Sequence, residues 1–133
     1  MAAQIAACAP PRLLRPPAVL VPVPLHPARA RARGYNQAER LAAALAARTG
    51  MRVADCLRRG AAGGRQVGRG RDERLAALAG AVERRLGGVV PERAVLVDDV
   101  VTTGGTVAAC ADALYRGGAI DVAAVGYALT PGC

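Results

Sequence analysis

The 133-residue sequence predicts a single α/β domain, a mainly parallel sheet flanked by helices, and three observations carry that expectation. Ala94 to Val97 is a continuous apolar run, as a strand covered on both faces requires. Between such runs lie stripes at helical spacing, Ala38-Leu41-Ala42-Leu45 and Val107-Cys110-Ala111-Leu114. Strands alternating with helices favour parallel pairing through right-handed crossovers, with ligands at the carboxyl ends of the strands. The composition suits this layering: hydrophobic residues make up 53% of the chain, mostly Ala, Leu and Val with no Phe or Trp, which gives thin helices against a β-branched sheet. A chain of this size buries roughly two-thirds of its extended surface, enough for a core without staples.

Taken in order, residues 1–17 show no period and end in Pro16-Pro17, so they read as an extended lead-in to a domain over 18–133. Ala18 to Val23 is a β-branched run whose end Pro22 distorts. Asn36, with Glu39 three residues on, resembles a capping box opening a helix that Gly50 stops. Met51 to Leu57 reads as a short strand. The Arg- and Gly-rich stretch over 58–74 has no apolar period and reads as a mobile basic loop, and 74–85 as partly helical. Ala94 to Val97 should be a strand stopped by Asp98-Asp99. A second helix runs from Val107 to the Gly117-Gly118 pair, and Ile120 to Leu129 supplies the last strand. No repeat of twenty to fifty residues is visible, which excludes a solenoid.

Eighteen basic residues, all Arg, against ten acids give a net charge of +8, but such Arg and Ala usage reflects genomic base bias as much as any partner. No stretch approaches the roughly 20 apolar residues of a membrane helix. The opening MAAQIAACAPPRLLRPP has its arginines after the apolar part, opposite to a secretory signal, so no membrane insertion and a cytoplasmic location are expected. Cys8, Cys56, Cys110 and Cys133 are far apart and form no CxxC pair; they read as buried or inert thiols.

The chemistry concentrates in VLVDDVVTTGGTV at 95–107: a buried strand, two acids at its tip, a loop of hydroxyls and glycines, then a helix. Gly104 and Gly105 let the backbone approach a ligand, and the helix start presents N–H donors at the positive end of its dipole. Thr102, Thr103 and Thr106 add donors, completing a cradle for a phosphomonoester. Asp98 and Asp99 would repel that anion unless they accept hydrogen bonds from vicinal hydroxyls or hold Mg²⁺ through water. Phosphate beside a diol points to a ribose 5-phosphate.

This segment resembles the phosphoribosyl pyrophosphate (PRPP) motif of type I phosphoribosyltransferases, in which four apolar positions precede two acids and a phosphate loop. VPVPLHPARARARGYNQAERLA at 21–42 resembles the signature of the ComF (competence protein F) family, and RQVGRGRDERLAALAGAV at 65–82 is similar to that family's hood segment. The likeness runs from about Val19 to Leu129 and implies a Rossmann-like phosphoribosyltransferase fold, with Asp98 and Asp99 as catalytic and Mg²⁺-holding residues and 102–106 as the phosphate loop. It further implies that His26, Arg29, Arg31 and Arg33, with Asn36 and Gln37, face pyrophosphate, and that Gln66, Gly68 and Arg74 belong to the hood. Family members usually begin with a four-cysteine zinc ribbon and a first strand–helix unit; both are missing here, so no zinc is expected, and either the sheet lacks an edge strand or the chain is an N-terminally shortened gene product. Val82 stands where the family carries an aromatic. The implied activity is transfer of phosphoribosyl to an acceptor the sequence does not reveal, with pyrophosphate release. Two other readings stand beside it: a PRPP or nucleotide-binding module without turnover, and an accessory protein in DNA uptake acting with competence proteins. A homo-oligomer is compatible with each, and the near absence of stacking aromatics disfavours a single-strand DNA platform.

Overall fold

The computed structural model describes residues 1–25, 32, 34–60, 82–101 and 104–129. Among them the elements run α1 (Ala2–Cys8), β1 (Val19–Pro22), α2 (Gln37–Thr49), β2 (Leu57–Arg59), β3 (Val82–Arg84), β4 (Arg93–Val101), α3 (Gly105–Arg116) and β5 (Asp121–Leu129). Strands β1, β4 and β5 form a parallel sheet in that order, with Val19 opposite Ala94 and Arg93 opposite Asp121. Strands β2 and β3 pair antiparallel, Leu57 opposite Arg84. The fold is therefore α/β, a parallel sheet flanked by helices.

The two-residue period of a strand divides the apolar run of β4 between two cores. Val95 and Val97 join Leu20 and Val125 under Leu41, Ala42 and Leu45 of α2 and Ile5 of α1. Ala94 and Leu96 join Val21 and Val23 under Ala109, Cys110, Ala113 and Leu114 of α3, with Leu57 and Val82 of the small hairpin closing the same face. Burial on both faces is the reason the run is continuously apolar.

Helix α2 obeys its local signals. Asn36 sits in the extended N-cap conformation and its Oδ1 accepts from the Ala38 N–H at 3.0 Å. Gly50 ends the helix in the left-handed region (φ 74°), its N–H donating to the Ala46 carbonyl at 2.9 Å.

Four expectations need correction. The lead-in is not wholly extended: Ala2–Cys8 is helical, with Ala2 and Ile5 buried. Two apolar anchors in seven residues leave no readable period, and packing against α2 supplies what local propensity does not. In place of a strand over 51–57 there is a single parallel bridge, Val53 to Leu20, with the Leu20 N–H donating to the Arg52 carbonyl and the Ala54 N–H to the Leu20 carbonyl. The next rung would need an N–H from Pro22, which has none, so the ladder ends there. Within 74–85, residues 82–84 form a strand rather than a helix, and 74–81 lie outside the described residues. The strand carrying the acids does not stop at Asp98: β5 continues beside it, pairing Gly126 with Asp98 and Ala128 with Val100, and carries β4 on to Val101.

Cys56 and Cys110 are buried and Cys8 is exposed, each as a free thiol; Cys133 lies outside the described residues. No helix among the described residues is long and apolar enough to cross a membrane.

Candidate functional site

The site is set by unequal strand lengths. β1 makes its last pairing at Pro22 opposite Val97, and the Val23 N–H adds one bond to the Val97 carbonyl at 3.0 Å. Beyond that point β4 keeps β5 on one side while the chain of β1 turns away through Pro24. Asp98 and Asp99 occupy this step at the carboxyl end of the central strand, where open α/β sheets leave a crevice for ligands.

Asp98 is half-buried, and burial first, then the neighbouring Asp99 carboxyl, pushes it up to about 6; the Asp99 backbone N–H and the charge of Arg59 pull the other way. Asp99 turns back on its own chain, its Oδ1 accepting from the Val100 N–H at 2.9 Å. Beneath them burial pushes the Cys110 thiol up to about 12, which keeps it protonated and unreactive.

Gly104 is the N-cap of α3 in the left-handed conformation (φ 81°), and no side-chain hydrogen bond caps the helix. A Cβ at Gly104 would meet nothing within 4 Å, so its backbone angle, not crowding, is what calls for glycine. Gly105 opens the helix and Thr106 follows in its first turn. The structure thus brings Asp98, Asp99, Gly104, Gly105 and Thr106 to one end of the sheet. Thr102 and Thr103 lie outside the described residues, as do His26, Arg29, Arg31, Arg33, Gln66, Gly68 and Arg74.

Asn36 is engaged at both ends: its Oδ1 caps α2 while its Nδ2 donates to the Val23 carbonyl at 3.1 Å, tying the helix start to the end of β1. Gln37 lines a shallow hollow with Met1, Ala2 and Arg40 on the α1 side.

Arg59 is the residue that reading the sequence missed. Its composition places it in the basic stretch over 58–74, yet Arg58 and Arg59 both belong to β2, paired with Glu83 and Val82. Arg58 forms a surface ion pair with Glu83 at 2.7 Å. Arg59 turns inward: its Nε–H donates to the Pro24 carbonyl at 3.2 Å and its Nη2–H to Thr106 Oγ1 at 3.5 Å. The signal was available, because Arg59 lies two residues from the buried Leu57 and so shares its side of the strand.

The donors present fit a hard divalent cation. Among the described residues no group of three or more His, Cys, Asp or Glu converges, so Mg²⁺ at Asp98 and Asp99 would complete its octahedron with water and ligand oxygens, its usual habit beside phosphates. No family model, curated protein or solved structure matches this chain.

Proposed function

We propose that this chain is a phosphoribosyltransferase-type domain of the ComF kind, binding PRPP or another phosphorylated ribose with Mg²⁺ and passing the phosphoribosyl group to an acceptor. The observation that supports it is the juxtaposition of a half-buried acid pair at the carboxyl end of the central strand with a glycine-capped helix start carrying Thr106. An anion cradle alone would suit any phosphate; acids beside it suit a ligand with phosphate at one end and a diol at the other. The parallel sheet of β1, β4 and β5 is the part of a type I phosphoribosyltransferase fold that would carry this motif.

In this reading the first turn of α3 anchors the 5-phosphate and Asp98 and Asp99 accept from the ribose hydroxyls. The bond from the anomeric carbon to pyrophosphate breaks, its electron pair leaving with the pyrophosphate oxygen. A lone pair of the acceptor forms the new bond, and the acceptor's proton passes to solvent. The transition state is oxocarbenium-like, so fixed position and electrostatics supply the rate and no nucleophilic side chain is needed. Bound at the acids, Mg²⁺ would offset the negative charge of the departing pyrophosphate.

Calorimetric titration of PRPP, with and without Mg²⁺, into the wild type and the Asp98→Asn/Asp99→Asn variant tests this, with ribose 5-phosphate and pyrophosphate as controls. Saturable, Mg²⁺-dependent binding that the variant loses is expected. A folded wild type that binds none of them overturns the reading.

A further inference from the structure

We propose that Arg59 is a substrate-binding residue, the cation that seats the ribose 5-phosphate group against the first turn of α3. This deepens the function proposed above and rests on it.

A phosphomonoester beside Asp98 and Asp99 meets two carboxylates, against which a helix dipole offers only about half a positive charge. With Mg²⁺ assigned to the acids and the pyrophosphate, a cation on the α3 side would balance the 5-phosphate. Among the described residues Arg59 is the arginine hydrogen-bonded to the first turn of α3, through Thr106, and also to the Pro24 carbonyl just past the end of β1, beside the step that holds the acids. The arginine is thus on the α3 face of the sheet, at the level of the acids.

Its geometry is prepared for an anion. The bond from Nε to Pro24 and the bond from Nη2 to Thr106 hold the plane of the guanidinium across the gap between the end of β1 and the start of α3. Of its five N–H donors those bonds use two, and the other three have no partner among the described residues. A guanidinium restrained in this way loses little further freedom on binding and matches phosphate through paired N–H groups. Thr106 ties the two halves of the cradle together: its hydroxyl accepts from Arg59 and, as a donor too, has a proton to give a ligand. Arg58 is the internal contrast, a neighbour with the same side chain that pairs with Glu83 at the surface.

The test titrates ribose 5-phosphate and, separately, pyrophosphate into the wild type, Arg59→Met and Arg59→Lys, with a thermal melt of each. Losing a charged hydrogen-bonding partner should weaken ribose 5-phosphate by about 10–100-fold in Arg59→Met. Arg59→Lys keeps the charge without the fork and should lose roughly tenfold. Pyrophosphate binding should stay within about twofold of wild type in both, since the residue is assigned to the α3 end of the ligand. Should Arg59→Met fail to fold, Arg59→Lys decides by the same contrast. Unchanged ribose 5-phosphate affinity, or equal loss for both probes, overturns the assignment while leaving the proposed function standing. A wild type that binds neither probe nor PRPP overturns both.

Discussion

Helices α2 and α3 are nearly the same length, 13 and 12 residues, and both bury an Ala- and Leu-rich stripe against the sheet, yet they begin in opposite ways. The start of α2 is closed: Asn36 accepts from Ala38 and anchors itself to Val23. The start of α3 has a glycine in the left-handed conformation where a capping side chain would stand, and the Thr106 hydroxyl in its first turn accepts from an arginine on another element. Glycine is a poorer N-cap than asparagine by roughly a few tenths of a kcal/mol, so α3 gives up a little stability that its neighbour keeps. The difference separates a helix capped by its own side chain from one that starts on a left-handed glycine at the end of the sheet that carries two acids.

Comparing the beds of the two helices is the strongest way to break this contrast. Leu45 of α2 and Leu114 of α3 are both fully buried at 0% exposure. Leu45→Ala and Leu114→Ala should each cost about 2–5 kcal/mol by urea unfolding, and by similar amounts. A much smaller cost at Leu114 would mean that α3 is loosely seated along its whole length, and that its open end is a symptom rather than a provision.

The caps themselves come next. Asn36→Ala removes the bond to Ala38 and the bond to Val23, for a loss of about 2 kcal/mol. Gly104→Ala forces a Cβ into the left-handed region at a cost of about 1–2 kcal/mol, with open space around it. Their effects on ligand binding should diverge. Gly104→Ala should weaken ribose 5-phosphate severalfold in a calorimetric titration, whereas Asn36→Ala should weaken it only as far as the end of β1 loosens. Equal losses would put both helix starts in the same role.

Much of this contrast was legible in the sequence and some was not. Asn36, Gly50 and the apolar faces of both helices act locally, through caps and a 3.6-residue period, so they could be read from neighbouring letters alone. The run from Ala94 to Val97 was equally plain. The length of β4 was not, because Asp98 stays in the strand only through its pairing with Gly126 of β5, far along the chain. Helix α1 was hidden for the same reason, its two buried residues drawing their stability from α2. Arg59 was lost to composition: in a stretch crowded with arginine and glycine, one inward-facing arginine looks like the rest until strand parity separates it from Arg58.

Asp98 gives the smallest expected effect, because burial and the neighbouring Asp99 carboxyl disfavour its charge at this end of the sheet. The carboxyl ordinarily titrates near 3.8 and is pushed up to about 6 by burial and by Asp99. The folded protein therefore holds the proton more tightly than the unfolded chain, and stability falls as pH rises from about 4 to about 6, then levels off. Taken whole the shift corresponds to about 3 kcal/mol, which solvent access to a half-buried group reduces to about 1 kcal/mol. Asp98→Asn removes the penalty, so the variant should be more stable than wild type by about 1 kcal/mol at neutral pH and equal to it near pH 4 in paired urea melts. The same variant should lose Mg²⁺-dependent PRPP binding. Stability gained where binding is lost would mark Asp98 as a group held charged against the preference of the fold. A variant less stable at both pH values would instead make the Asp98 carboxylate a structural acceptor for the Asp99 N–H, and the open end of the sheet would need another explanation.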